Sequence, residues 1–241
     1  MKKSMLYKEL AEYYDLIYSW KDYKGEAEKV RRLIDSYKMS DGNELLEVAC
    51  GTGRHLQYMK RWFDCTGVDN SRSMIDIARS RVKGVRFAVA DMTTLSLGRK
   101  FDVVSCLFSS IGYVKSYKNL NRTISNFSAH LKNGGVLVVE PWFTRSNYHP
   151  GIPHMTTYNG KHIKIARVNT SKIVGDLSIT DMHYLVARDH REVKHLVDRH
   201  EIGLFDTRIT LQYMKEAGLD VRYLKNGLMK DRGLFVGTKR S

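Results

Sequence analysis

The sequence predicts an α/β fold, one open and mainly parallel sheet wrapped by helices, with an antiparallel β subdomain inserted late in the chain. Three observations carry this. A short apolar run, Leu45-Leu46-Glu47-Val48-Ala49, leads into Gly51 and Gly53 and then into an amphipathic segment from Arg54, which is the pattern of strand, tight turn and helix. Asp69 and Asp91 each close a later apolar run, Thr66-Gly67-Val68 and Val85 to Ala90. Beyond Arg145 the alternation of strand and helix gives way to runs of period two.

The elements follow in order. From Leu6 to Tyr18 the chain packs Tyr7, Tyr13, Tyr14 and Tyr18 among Leu6, Leu10, Leu16 and Ile17, an aromatic density expected to serve packing. Ala27, Val30, Leu33, Ile34 and Tyr37 recur at helical spacing, and Ser40-Asp41-Gly42 ends that helix before the first strand. After Asp69, Ser71 caps a helix carrying Met74, Ile75, Ile77 and Ala78. The third strand is Val85–Ala90 and the fourth Phe101–Phe108. A helix over Asn119–Leu131 is expected to stop at Asn133-Gly134-Gly135, ahead of a fifth strand, Gly135–Glu140. The inserted strands are Ile163–Val168, Leu177–Val186 and Val193–Leu204. A helix over Thr207–Ala217 and a closing pair, Val221–Leu224 with Arg232–Gly237, complete the sheet. The expected division is an N-terminal helical cap over 1–42, a core over 43–144, an inserted antiparallel roof over 145–205, and a C-terminal helix and strand pair over 206–241.

With 241 residues, 42% of them hydrophobic, the chain can bury one full core and a small appended subdomain. It contains no apolar span long enough for a membrane and nothing like a signal peptide, so a soluble, cytoplasmic protein is expected. Cys50, Cys65 and Cys106 are odd in number and set in apolar runs, which predicts reduced, buried thiols. A formal charge of +14, from 40 Lys+Arg against 26 Asp+Glu, favours an anionic partner. The basic residues are dispersed over helix faces and no groove-reading motif accompanies them, so a nucleic-acid partner is not expected.

The glycine turn brings backbone to a helix N-terminus, where a ligand can approach closely. Asp69 lies about one βαβ unit later, where an acidic side chain takes both hydroxyls of a ribose. A dinucleotide fingerprint would place a third glycine three residues after Gly53, and Leu56 stands there instead; the Lys-Ser/Thr of a phosphate loop is also missing. Glu47, four residues ahead of Gly51, suits a cationic amino group and would repel phosphates. In open α/β sheets ligands gather at the carboxyl ends of the strands, so Glu47, Asp69 and Asp91 can share one crevice.

This first motif, Glu-x-x-x-Gly-x-Gly at Glu47, Gly51 and Gly53, resembles that of class I S-adenosylmethionine (SAM)-dependent methyltransferases. The resemblance implies a Rossmann-like seven-stranded methyltransferase sheet, with SAM as cofactor held by Glu47, Ala49, Gly51, Gly53, Asp69, Asn70, Asp91, Met92 and Leu107. The Asn/Asp-Pro-Pro-Tyr motif of enzymes that methylate bases or glutamine is absent after the fourth strand, where the chain reads Ser109-Ser110-Ile111-Gly112-Tyr113.

Later segments narrow the likeness: Cys106 to Gly112, Glu140-Pro141-Trp142, His183 to Ala187, and Arg232 to Gly237. Together they resemble the nucleotide-sugar N,N-dimethyltransferases that make desosamine and mycaminose. That resemblance implies a dTDP-linked aminodeoxyhexose substrate, in-line methyl transfer to its amine, and a homodimer. By position it implies that Tyr14 hydrogen-bonds near the sugar amine, that Arg232 holds the diphosphate, and that Trp142, Phe143, Arg145 and Arg167 line the substrate pocket; His183 and His200 are the histidines expected to point from the inserted sheet toward substrate. Tyr14 and Tyr113 are the candidate catalytic residues; Tyr113 stands where these enzymes tend to carry histidine. A phenol with an ordinary pKa of about 10 is a poor proton acceptor at neutral pH.

Two other readings fit the motifs: a SAM-dependent methyltransferase of another small amine or of RNA, and a non-catalytic SAM-binding partner subunit. No metal is expected, because the spacing of five between His190, His195 and His200 puts neighbours on opposite faces of a strand.

Overall fold

The computed structural model describes residues 11–240. Leu6, Tyr7 and Leu10 of the expected N-terminal cap lie outside them. The chain begins with helices α1 (Ala11–Ile17) and α2 (Tyr23–Tyr37), then β1 (Glu44–Val48), α3 (Leu56–Met59), β2 (Asp64–Asp69), α4 (Arg72–Arg81), β3 (Arg86–Val89) and β4 (Phe101–Cys106). A 3₁₀ turn over Ser110–Val114 leads to α5 (Tyr117–Ala129) and β5 (Leu131–Val139). Four strands follow, β6 (His154–Asn159), β7 (Ile163–Val174), β8 (Leu177–Arg188) and β9 (Lys194–Gly203), and the chain closes with α6 (Thr207–Glu216), β10 (Leu219–Leu224) and β11 (Leu234–Lys239).

Seven strands form the large sheet in the order β3-β2-β1-β4-β5-β11-β10. The first five are parallel, while β11 pairs antiparallel with both β5 and β10. The order reverses at β1, the topological switch point beside which open α/β sheets bind ligands. Each face buries its own core: Leu120, Ile124 and Phe127 of α5 with Met214 of α6 on one side, and Ala27, Val30 and Ile34 of α2 with Leu56 and Ile75 on the other. The helix caps match the sequence. Asp22, Ser71, Ser116 and Asp206 each accept a backbone N–H at a helix start, satisfying donors that have no partner within the helix.

The inserted segment is a separate four-stranded antiparallel sheet, β6-β7-β8-β9. Its strands alternate between an inner face toward the large sheet and an outer face toward solvent. The inner residues Ile165, Tyr184 and Val186 bury against Tyr13 and Ile17, so α1 is clamped between the small sheet and the core.

Two expectations need correction. The sequence shows three inserted strands and the fold has four: β6, His-Met-Thr-Thr-Tyr-Asn, has too little apolar alternation to announce itself and is held by its register with β7. Asn133-Gly134-Gly135 does not stop the helix. That helix ends at Ala129, and the glycines sit within β5 at a bulge, where the partners of Phe101 and Val103 jump from Leu131 to Val136. Gly134 takes a φ of +75°, and a Cβ there would come within 2.9 Å of the Ser40 backbone nitrogen. Cys50, Cys65 and Cys106 are free thiols buried in the large domain; burial pushes all three pKa values up, that of Cys65 to about 12. No helix among the described residues is long and apolar enough to cross a membrane.

Candidate active site

At the carboxyl end of β1 the chain makes three positive-φ steps, Ala49 (56°), Gly51 (54°) and Gly53 (75°). The two glycines do different work. A Cβ on Gly51 would meet no atom within 4 Å, so the turn opens onto empty space there. A Cβ on Gly53 would lie 3.3 Å from Ala78 and Val82, so that glycine lets the turn close on α4 and stands away from the cavity. Asp69 ties the turn to the next loop: its carboxylate accepts from the backbone N–H of Gly51 at 2.9 Å and of Ser71 at 2.8 Å.

One cavity of about 990 Å³ starts at this turn and runs under the small sheet. Ala49, Gly51, Asp69, Asn70 and Met92 line its near end. Tyr14, Tyr18 and Phe108 form an aromatic wall, with ring centroids 4.8 Å apart for the first pair and 5.1 Å for the second. Trp142, Phe143, Arg167, Arg232 and Tyr113 line the far end.

Fixed backbone positions these groups. Phe108 and Ser109 adopt left-handed φ values of 52° and 62° after β4. The turn is held by Glu140, whose carboxylate accepts the Phe108 N–H at 2.7 Å, and by the Ser109 hydroxyl, which donates to the Pro141 carbonyl at 2.7 Å. Glu140 is fully buried, and burial raises its pKa. On the other side Asp15 fastens α1 to the glycine turn. It accepts the Thr52 hydroxyl at 2.8 Å and pairs with Arg81, which also reaches the Thr52 carbonyl.

Two guanidinium groups face the far end. Arg232 lies 4.2 Å above the Trp142 ring and 5.0 Å from that of Phe143, and donates to the Ser109 hydroxyl at 3.1 Å. Burial pulls its pKa down, and its Nε has no partner among the described residues. Arg167 donates to the Tyr18 hydroxyl and to Thr156, each at 3.0 Å, and its Nε is likewise unpartnered among the described residues. Two half-buried cations, each with a buried Nε to spare, make an anion-seeking chamber.

Several sequence-derived site residues lie elsewhere. Glu47 is buried beneath the turn against His55 and does not line the cavity. Asp91 is exposed and folds its carboxylate onto its own turn, accepting from the Thr93 N–H and hydroxyl. Leu107 faces the core, and Phe108 takes its place at the wall because the left-handed step turns the chain over. Arg145 is exposed and donates to the Gly175 carbonyl outside the cavity. His183 lies on the outer face of the small sheet, its ring stacked on that of His195. The inner histidine is His200, two strand positions from Asp198 and hydrogen-bonded to Tyr113. Tyr18 and Phe108 were not singled out from the sequence. Tyr18 carried a signal, since it follows Tyr14 by four residues and so shares its helical face.

The comparisons with known proteins bear on this arrangement. Residues 45–135 match the model of a methyltransferase domain. A Streptomyces venezuelae protein named dTDP-3-amino-3,4,6-trideoxy-alpha-D-glucopyranose N,N-dimethyltransferase is 37% identical over 230 residues, 94% of this chain and 96% of that one. The chain belongs to the SAM-dependent sugar N-methyltransferases. The crystal structure of S. venezuelae DesVI superposes with a TM-score of 0.90 at 36% identity, covering 96% of this methyltransferase and 98% of DesVI. SAM-bound CalS10, an amino pentose methyltransferase from Micromonospora echinaspora, gives 0.82 at 30% identity over 91% and 92% of the two chains. The cofactor of the methyltransferase is SAM, and the residues present fit it. The turn at Gly51 is open to a close-approaching ligand, and Asp69 and Asn70 line the cavity beside it.

Proposed function

We propose that the protein transfers methyl groups from SAM to the amine of a dTDP-linked aminodeoxyhexose. The observation that carries the substrate class is the pair of half-buried arginines, Arg167 and Arg232, that line the same cavity as Gly51. A diphosphate would meet their spare donors, with the sugar reaching from there toward Tyr14. Ala49, Gly51, Asp69, Asn70 and Met92 would hold the cofactor, whose bound form supplies an already activated methyl group. The chain then has to orient the amine and exclude water, and well-aligned reactions show that about 7–11 kcal/mol of a barrier can come from this source. Tyr14 aims the amine, and the aromatic wall favours a cationic sulfonium by cation–π attraction. The small sheet, within residues 145–205, roofs the site, and 206–241 closes the sheet beneath it.

A second copy of the chain is the proposed partner. Met155, Val168 and Val197 are exposed on the outer face of the small sheet and stand in one cross-strand row with His183, an apolar stripe suited to self-association.

The test is mass spectrometry of products formed from SAM and a panel of dTDP-amino sugars. Additions of one or two methyl groups are expected. A protein that binds SAM in calorimetry and turns over none of the panel would overturn the sugar reading.

A further inference from the structure

A sugar amine enters from water mainly as its ammonium form, which has no lone pair to attack with. The inference below rests on the amine reading above and concerns where that proton goes. Tyr113 lines the cavity and its phenol lies 2.6 Å from His200 Nδ1. His200 Nε2 lies 2.9 Å from Asp198 Oδ2. His200 is 2% exposed and Asp198 1%, and both project from the inner face of β9, where Thr180 and Met182 of β8 stand opposite them. Tyr113 and His200 both line the chamber, the phenol bonded to the imidazole, and the Asp198 carboxylate stands behind the ring.

We propose that Tyr113, His200 and Asp198 form a relay that accepts the proton of the substrate amine. With Nε2 protonated beside the Asp198 carboxylate, 2.9 Å away, His200 turns its Nδ1 lone pair toward Tyr113. The phenol O–H donates to that lone pair. As the ammonium gives its proton to the Tyr113 oxygen, the phenol proton passes to His200 Nδ1. One N–H bond of the substrate breaks and one forms on His200, leaving a neutral amine and an imidazolium beside the Asp198 carboxylate. The phenol ends as it began, so its poor basicity does not limit the step. After transfer the methylated ammonium loses a proton by the same route, once His200 has returned the first to solvent through the chamber that it lines.

The surrounding charges leave this route intact. Lys115, two residues from Tyr113, is neutralised by Glu201 at 2.6 Å. Arg199 on β9 pairs with Asp181 of β8 on the outer face. Arg167 on β7 is engaged by Tyr18 and Thr156, and Asp15 of α1 by Thr52 and Arg81.

The test is the pH profile of kcat/KM for wild type, Tyr113→Phe, His200→Gln and Asp198→Asn with a dTDP-amino sugar that the wild type methylates. At neutral pH, Tyr113→Phe should lose about a hundredfold, the scale of general acid–base catalysis. The loss should shrink steadily at alkaline pH, where the free amine is already present. Tyr113→His, which puts an imidazole at the chamber wall, should retain neutral-pH activity. A Tyr113→Phe deficit that is the same at every pH, with SAM binding and melting unchanged, would overturn the relay and leave the methyltransferase reading standing. Should His200→Gln fail to fold, the Tyr113 pair alone decides the outcome. A wild type that methylates no amino sugar would instead fail the parent reading.

Discussion

Glu47 and His55 lie 3.3 Å apart, Oε1 to Nδ1, beneath the glycine turn and out of reach of solvent. Glu26 of α2 takes the other side of the same ring at 2.9 Å and pairs in turn with buried Lys21. The motif carboxylate therefore works from inside the core. It anchors the charged chain that fastens α2 under the cofactor site.

This chain sets a pH dependence. Burial alone would lower the His55 pKa, but its bonds to Glu26 and Glu47 outweigh that and raise it to about 9. An unfolded histidine titrates near 6.5. The contribution of His55 to stability is thus complete below about pH 6.5 and is lost as pH rises through about 9. Thermal melts across that window should show a falling midpoint, and His55→Gln should flatten the fall.

Gly51→Ala should damage cofactor binding more than folding. The methyl group would enter the open cradle, and the φ of 54° would add strain of about 1 kcal/mol. Calorimetry should find SAM affinity lost while the melt moves only slightly; equal losses in both would make this glycine purely structural.

Arg232→Gln should raise KM for the nucleotide sugar and spare SAM binding. One charge-assisted contact of about 2 kcal/mol corresponds to about thirtyfold. Arg145→Ala, on the exposed side of the roof, should change KM by no more than about twofold. Equal effects from the two arginines would place the diphosphate elsewhere.

Asp15→Asn should loosen α1 from the glycine turn. It weakens the link to Arg81 while leaving the shape of the side chain, at a cost of about 1–3 kcal/mol. Denaturant melts should show the loss of stability, and SAM should recover part of it by binding the folded form.

The legible part of this molecule was its periodic part. The apolar strands, the helix cap at Ser71 and the glycine turn follow local rules, and the structure places them within a few residues of expectation. The direction of individual side chains was harder to read. Glu47 and Asp91 both close or flank strands at the carboxyl edge, yet one turns into the core and the other onto its own loop, because His55 and Thr93 offer nearer partners. Two successive left-handed residues, Phe108 and Ser109, put Phe108 rather than Leu107 at the cavity wall. His183 and His200 differ by strand parity, which becomes readable only when register is known. Tyr113 looked isolated in sequence because its partner lies 87 positions away.

The buried thiols give the fold an internal clock. Cys50 sits in the glycine turn, Cys65 in β2 and Cys106 at the end of β4, all closed to solvent and all held protonated by burial. An alkylating reagent can reach each of them only when its surroundings open. The labelling rate at Cys50 would time the opening of the cofactor turn, and that at Cys65 and Cys106 the opening of the sheet itself. Three separate clocks, running without any introduced probe, would then show whether SAM slows the turn alone or the whole molecule.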